Sequence, residues 1–148
     1  MKITAHRLCH DDGLPYPFVP SPNIGPLIKH HELLVMHYTE GQSSAAAVAW
    51  LAKSKSKASA HLVIGRGGDI TQLVSFDVVA WHAGPSSWKG KTRLSEYSIG
   101  IELDNPGMLK PASGKWIAAF RRPYPESDFI KSTHKFGART YSWHKYTQ

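Results

Sequence analysis

The stretch SIGIEL, Ser98–Leu103, decides the fold of this 148-residue chain. Its apolar side chains alternate with small or polar ones, so Ile, Ile and Leu share one face of a strand and fix its register against a core. The opposite face presents the Glu102 carboxylate beside Gly100, whose missing side chain leaves room for a ligand. A half-buried carboxyl near an apolar wall has a raised pKa, as a general base requires. A solvent-exposed acid on an antiparallel strand is an equally good interpretation of Glu102.

The segments before this strand supply the rest of a sheet. Leu33–Tyr38 reads as a buried strand, and Ser43 or Ser44 can cap a helix that follows it. The order strand, helix, strand, hairpin, strand predicts an α/β fold with a central mixed β-sheet flanked by helices. The further predicted segments are a helix over 45–52, a strand over 60–65, a turn over 66–69, a hairpin strand over 70–74, a helix or loop over 77–84 and a surface loop over 85–91.

Composition limits the class of protein. The length suits a single domain over 1–148, in which the proline-rich residues 1–31 form an extended N-terminal arm. A single cysteine, Cys9, excludes an internal disulfide and a multi-cysteine zinc cluster. No apolar run reaches the roughly 20 residues of a membrane span, and the first residues lack the apolar stretch of a signal peptide. We therefore expect neither a membrane span nor export by a signal peptide.

The formal net charge of +7 is concentrated at the end of the chain. Residues 107–148 hold eight basic and two acidic groups, a balance of +6, whereas residues 1–106 hold ten and nine. Nucleic acid or another anionic polymer could bind such a segment, but a solvated basic face without a partner is equally typical. With charge as its sole support, nucleic-acid binding is not expected.

His37 ends an apolar strand just before a loop, where α/β proteins place binding groups. Its imidazole could bind zinc, although this position alone favours a core histidine bonded to a backbone carbonyl. The segment Ala80–Trp88 clusters Trp81, His82 and Trp88 among small residues, which suits stacking on sugar rings or clamping a peptide. Ordinary packing under a loop is the alternative, and it fits Trp81 better than Trp88.

The remaining histidines give weaker signals. His61 alternates with Val63 on its strand, and a packed structural role is the safer interpretation of it. His134 and His144 lie ten residues apart in the basic segment, which is not a recognised metal-ligand spacing.

Four segments, taken in order, resemble the zinc-dependent N-acetylmuramoyl-L-alanine amidases of the Amidase_2 type, which are related to peptidoglycan recognition proteins. The resemblance spans about residues 33–105 and is most specific in its last two segments. The four segments are LVMHYT (34–39), SAHLVI (59–64) with the turn and QLV (72–74) that follow, AWHAG (80–84) with Ser87-Trp88, and YSIGIELDN (97–105).

The resemblance implies zinc-assisted hydrolysis of the amide between N-acetylmuramic acid and L-alanine. His37 occupies the position of the first zinc ligand, and Glu102 that of the acid acting on the attacking water. Peptidoglycan or a muropeptide is then the substrate, bound in a groove with contacts from Trp81, His82, Trp88 and His61. Without a signal peptide, such an enzyme is expected in the cytoplasm or to be released in the manner of phage enzymes.

One block of the family pattern does not occur in this chain. The second zinc ligand of the family comes from a Gly-His pair, and an Asp or Cys about ten residues later is the third. The resemblance therefore predicts a fold without its last strand and helices, in which residues 106–148 are incomplete. His134 or His144 could replace the absent ligands, and a peptidoglycan-binding module with an incomplete metal site is the alternative function.

Overall fold

The computed structural model describes residues 1–133 and 140–146. The helical segments in these residues are α1 (Ser44–Leu51) and short 3₁₀ turns at Ser54–Ser56, Leu94–Tyr97 and Glu126–Asp128. In the described part of the chain, no helix has the length and apolar character needed to cross a bilayer. The strands are β1 (Lys2–Thr4), β2 (Arg7–Cys9), β3 (Ile24–Leu27), β4 (Leu33–Tyr38), β5 (Leu62–Ile64), β6 (Ile70–Gln72), β7 (Val78–Ala80), β8 (Ser87–Trp88), β9 (Lys91–Thr92), β10 (Ser98–Leu103), β11 (Met108–Ala112), β12 (Lys115–Ile117), β13 (Pro123–Tyr124), β14 (Phe129–Thr133) and β15 (Thr140–His144).

The central sheet has the strand order β4-β10-β5-β6. Both β4 and β5 run parallel to β10, whereas β6 returns antiparallel to β5 as its hairpin partner. The mixed sheet is therefore confirmed, and β4 and β10 have the predicted bounds. Leu34 and Met36 of β4 are 69% and 53% exposed, so the predicted burial of this strand is wrong for one of its faces.

Different layers cover the two faces of the central sheet. On one face α1, capped by the Ser43 hydroxyl, packs its Leu51 into a buried cluster with Val63. On the other face Leu8 of the N-terminal hairpin packs against Leu62 and Phe76, beside Ile99 and Ile101 on β10. The sequence predicted helices on both sides, but in the described residues the second layer is built from the N-terminal segment.

Two segments contain strands that were not predicted: residues 77–84, expected to be a helix or loop, and residues 85–91, expected to be a surface loop. β7 pairs antiparallel with β3, because prolines in the N-terminal segment permit an edge strand without permitting a helix. β8 and β9 form a hairpin whose two central residues, Lys89 and Gly90, have φ values of 46° and 80°. Positive φ at both positions is the geometry of a type I′ turn, which matches the twist of the flanking strands.

The basic segment after Pro106 forms an antiparallel sheet of its own, with the order β13-β12-β11-β15-β14. Leu109, Ala118 and Phe129 are its buried apolar residues, and Trp116 packs against Phe129 with ring centroids 4.6 Å apart. The strands are two to five residues long and two of them contain a proline, so they carry no long apolar period that the sequence could reveal.

The Gln72 side chain attaches the N-terminal segment to the central sheet. It is 0% exposed, and its Oε1 accepts from the Leu8 backbone N–H at 2.9 Å and the Arg7 Nε–H at 3.2 Å. Its Nε2 donates to the carbonyl oxygens of His6 and Val74, each at 3.0 Å. All of the hydrogen-bonding capacity of this buried amide is therefore satisfied by backbone and an arginine.

Replacing Gln72 by Ala is expected to lower the free energy of unfolding by about 2–4 kcal/mol, because backbone groups are left buried without partners. The midpoint of urea unfolding measures this change. Gln42→Ala, at an exposed position, is the matched control and should leave the midpoint unchanged. Equal midpoints for the two variants would show that the N-terminal segment is not held through Gln72.

Candidate active site

His37 and Glu102 are direct neighbours on the central sheet. They are paired in the parallel register of β4 and β10, whose strand spacing is about 4.8 Å. Paired residues of adjacent strands project to the same face, so the imidazole and the carboxyl lie side by side. This is the face that α1 partly covers, because Glu102 also pairs with Val63 on β5.

The environment of Glu102 favours a proton acceptor at neutral pH. Its Oε2 atom is buried and has no hydrogen-bond partner in the described part of the chain. Burial without a compensating cation raises the pKa of Glu102 to about 7, because the charged form loses hydration. A carboxyl of this kind exchanges protons readily near pH 7.

His82 contacts His37 directly. The His82 Nδ1 lies 3.0 Å from the His37 Nε2, and the two rings meet edge to face. The His82 ring rests against Gly100, where an added Cβ would be 2.3 Å from the His82 Cγ. The space that the sequence assigned to a ligand above this glycine is therefore occupied by the His82 ring.

Burial keeps both of these imidazoles neutral. It lowers the pKa of His82 to about 4 and also lowers the pKa of His37, because the charged forms lose hydration. A neutral imidazole has one donor and one acceptor nitrogen. Each ring can therefore bind a metal or accept a proton through one nitrogen only.

His61 is a structural residue in this fold. It is 0% exposed, its Nε2 donates to the Val78 carbonyl oxygen at 2.9 Å, and its Nδ1 accepts from the Gly100 N–H at 3.0 Å. The implied substrate contact by His61 does not fit this placement, since both ring nitrogens are bonded to backbone. The safer interpretation, a packed histidine, agrees with the structure.

The two tryptophans near His82 are accessible. Trp81 is 42% exposed and directly precedes His82, and Trp88 is 58% exposed on β8, where the Lys89 ammonium lies 5.9 Å from its ring. The structure does not bring either ring into the cavity beside Glu102. Their predicted contact with substrate stays a prediction.

His144 is held in another part of the fold. Its Nδ1 donates to the Lys145 carbonyl oxygen at 2.7 Å, and its Nε2 faces the Arg66 guanidinium at 3.5 Å. A guanidinium beside the ring disfavours a bound cation, and His144 as a replacement ligand stays a prediction. His134, the other suggested ligand, lies outside the described residues.

The described residues do not complete a zinc site. The His37 ring can offer one nitrogen and Glu102 an unpaired buried oxygen, but residues 1–133 and 140–146 contain no cluster of three His, Cys, Asp or Glu able to hold a metal. A catalytic zinc ion takes three protein ligands and an open position. The donor set found here therefore fits one ligand and a neighbouring base, and it does not fit a whole site.

A cavity of about 190 Å³ opens beside Glu102. Tyr38, Thr39 and Trp50 line it together with Ala47 and Leu51 of α1. Trp50 is 48% exposed, because it directly precedes Leu51 on α1 and adjacent residues on a helix cannot both face the core.

A search of family models matches residues 29–136 of the chain to a family described as N-acetylmuramoyl-L-alanine amidase. The matched range includes β4, β10 and the segment Ala80–Trp88.

Two curated relatives are similar to parts of the chain. The 1,6-anhydro-N-acetylmuramyl-L-alanine amidase AmpD of Citrobacter freundii is 51% identical over 53 residues, which are 36% of this chain and 28% of that protein. The N-acetylmuramoyl-L-alanine amidase AmiD of Escherichia coli is 39% identical over 98 residues, which are 60% of this chain and 34% of that protein. The chain therefore spans about a third of the length of these relatives.

Solved structures show the same similarity. A selenomethionine derivative of AmpD superposes with a TM-score of 0.53 at 32% identity, covering 70% of this chain and 66% of the other. E. coli AmiD, in complex with the substrate anhydro-N-acetylmuramic acid-L-Ala-D-γ-Glu-L-Lys, gives 0.50 at 33% identity and covers 66% and 37%.

Proposed function

Because the chain belongs to the N-acetylmuramoyl-L-alanine amidase family, we propose that it hydrolyses the amide bond between N-acetylmuramic acid and L-alanine in peptidoglycan. The observation that carries this proposal is the placement of His37 beside Glu102 on one face of the sheet. An imidazole next to a carboxyl whose pKa lies near 7 is suited to amide hydrolysis at neutral pH. Release of stem peptide from purified peptidoglycan or a muropeptide, measured by mass spectrometry, tests it.

In this proposal Glu102 is the general base and later the general acid. Its ionised carboxylate accepts a proton from the attacking water, and the resulting acid delivers that proton to the departing L-alanine nitrogen. A pKa near the working pH serves both steps, because neither proton transfer is then strongly uphill. The unpaired Oε2 is free to receive the proton, since no protein donor in the described residues occupies it.

We propose zinc as the cofactor, with His37 as one of its ligands. A bound zinc ion supplies a Lewis acid and a water of lowered pKa. The described residues contribute one histidine to such a site, fewer than the three protein ligands that a catalytic zinc ion takes. What these residues do themselves is hold the His37 ring neutral and keep Glu102 beside it.

A muropeptide is the proposed substrate, as it is in the AmiD complex. The exposed rings of Trp81 and Trp88 offer apolar faces on which a sugar ring can stack, and Trp50 and Tyr38 offer others beside Glu102. Trp50 and Tyr38 line the cavity beside Glu102, whereas Trp81 directly precedes His82 and Trp88 lies on β8. Together they would accommodate an elongated ligand made of a sugar and a peptide.

The pH dependence of kcat/KM is expected to follow the ionisation of Glu102. Its pKa is raised, so the carboxyl is protonated below about pH 7 and cannot act as the base. The value of kcat/KM should therefore fall about tenfold per pH unit below pH 7, reaching about 100-fold at pH 5. Burial also lowers the pKa of His37, so protonation of this ring contributes less to the fall than that of an exposed histidine would.

Glu126→Gln removes an exposed acid elsewhere and is the control for this profile. It should retain both the rate and the acid limb near pH 7. A wild-type profile that is flat between pH 5 and pH 8 would contradict the assignment of Glu102 as the base.

A module that binds peptidoglycan without cutting it is the second candidate function. The observation in its favour is that the described residues supply fewer than the three ligands of a catalytic zinc site. Such a module would sediment with insoluble peptidoglycan, release no stem peptide and be indifferent to a chelator. Hydrolysis that a chelator abolishes would exclude it.

A further inference from the structure

The hydrogen bonds around Ser98 determine where the proton of His82 lies. The Ser98 hydroxyl donates to the Leu94 carbonyl oxygen at 2.6 Å, and a hydroxyl has a single proton. Towards the His82 Nε2, 3.1 Å away, the Ser98 oxygen can therefore act only as an acceptor. His82 consequently carries a proton on Nε2.

The same reasoning extends from His82 to His37. No ion pair in the described part of the chain involves His82, so a charged ring would be half-buried without compensation, and the neutral ring has a lone pair on Nδ1. The His37 Nε2, 3.0 Å from that lone pair, must be the donor. The proton of His37 thus sits on Nε2, and its Nδ1 is the acceptor nitrogen.

We propose that His82 and Ser98 are positioning residues that hold the His37 imidazole in its Nε2–H tautomer and keep its Nδ1 free to accept. This hydrogen-bond series runs from His37 through His82 and Ser98 to the Leu94 carbonyl, and each group donates to the next. Its use in catalysis rests on the proposed function, whereas its existence is a property of the fold alone.

Three residues on one face of β10 contribute to this arrangement. Ser98 is 0% exposed and anchors the His82 ring, Gly100 leaves the space in which that ring lies, and Glu102 stands beside His37. An alanine at position 100 would place its Cβ 2.3 to 2.7 Å from three atoms of the His82 ring. Gly100 therefore provides the space for the His82 ring, which explains why a glycine lies between Ser98 and Glu102 on this face of the strand.

These hydrogen bonds restrict His37 to one tautomer, the one whose Nδ1 can accept. A neutral imidazole without fixed partners distributes its proton between both nitrogens, and the fraction protonated on Nδ1 cannot accept there. Partners of this kind around a functional histidine commonly change activity or ligand affinity by about 10- to 100-fold. We expect kcat/KM to fall by a factor within that range when the hydrogen-bond series is interrupted by a substitution at Ser98.

Long-range ¹H–¹⁵N NMR of ¹⁵N-histidine-labelled, metal-free protein at pH 7.5 tests the hydrogen-bond series independently of activity. Wild-type protein should show both His37 and His82 as Nε2–H tautomers, with a scalar coupling across the hydrogen bond between His37 Nε2 and His82 Nδ1. His82→Leu should mix the tautomers of His37, whereas His82→Gln, whose amide oxygen can accept, should retain Nε2–H. Ser98→Ala should leave His82 without a preference for its Nε2–H tautomer.

Ser59→Ala is the matched structural control, because Ser59 is 1% exposed and bonds only to the backbone of Asn23 and Trp81. It should lower stability without changing either tautomer. A wild-type His37 protonated on Nδ1, or the absence of the coupling, would overturn the inference. If NMR detects the hydrogen-bond series and no stem peptide is released, the proposed function fails and the inference stands. If the hydrogen-bond series is absent while Glu102 proves essential for hydrolysis, the inference alone fails.

Discussion

Replacing Glu102 by Gln is expected to lower kcat/KM for stem-peptide release by about 10²–10⁴-fold, the usual contribution of a positioned general base. The amide is close in size to the carboxyl, so the cavity beside α1 keeps its shape. It cannot accept the proton that the attacking water must lose. The rate of stem-peptide release at pH 7.5, detected by mass spectrometry, measures the change.

Stability separates the chemical role of Glu102 from a structural one. The wild-type carboxyl is buried with an unpaired oxygen, so a neutral amide there should leave the unfolding midpoint unchanged or raised. Glu126→Gln, an exposed counterpart, should retain full activity. A Glu102→Gln variant that keeps wild-type activity would remove Glu102 from the mechanism.

Replacing His37 by Ala is expected to lower kcat/KM on the order of 10³-fold, since loss of a metal ligand removes several kcal/mol of charge stabilisation in the transition state. Zinc retained after dialysis should fall in parallel, as measured by atomic emission. Both changes have one cause, the loss of the sole imidazole that this face of the sheet offers with an open nitrogen in the described residues.

His30→Ala, at an exposed position, is the control and should retain both zinc and activity. Unchanged zinc content in His37→Ala would assign the metal to other residues. Unchanged activity together with unchanged zinc would exclude His37 from the site altogether.

The parts of the fold that follow from alternation or strand-end position could be predicted from the sequence. Ser98–Leu103 and Leu33–Tyr38 have the bounds that their patterns indicate, because a parallel sheet imposes an apolar face and a fixed register on both. The family resemblance assigned His37 and Glu102 to one site, and the parallel pairing of β4 with β10 places the two residues side by side.

What escaped prediction depends on contacts between distant segments. The hairpin over Ser87–Thr92 is set by two positive φ angles, and the sheet after Pro106 is built from strands too short to show a period. The role of Gly100 is another case: a glycine in a strand signals close approach, but the sequence does not say whether a ligand or a histidine ring approaches.

Trp50 and His82 illustrate the same difficulty for side chains. The predicted helix included Trp50 without assigning the face on which it lies, and in the structure this ring is half exposed in the cavity beside Glu102. Backbone groups take both ring nitrogens of His61, as its position on an apolar strand indicated, while His82 contacts His37, which its sequence surroundings did not indicate.

The most direct test is a double-mutant cycle in kcat/KM for stem-peptide release, using His37→Ala, Glu102→Gln and the combined variant. Residues that act as a unit are strongly non-additive, so the double variant should be about as slow as the slower single variant. Stem peptide released by the double variant at the wild-type rate would contradict the account, because hydrolysis would then need neither group.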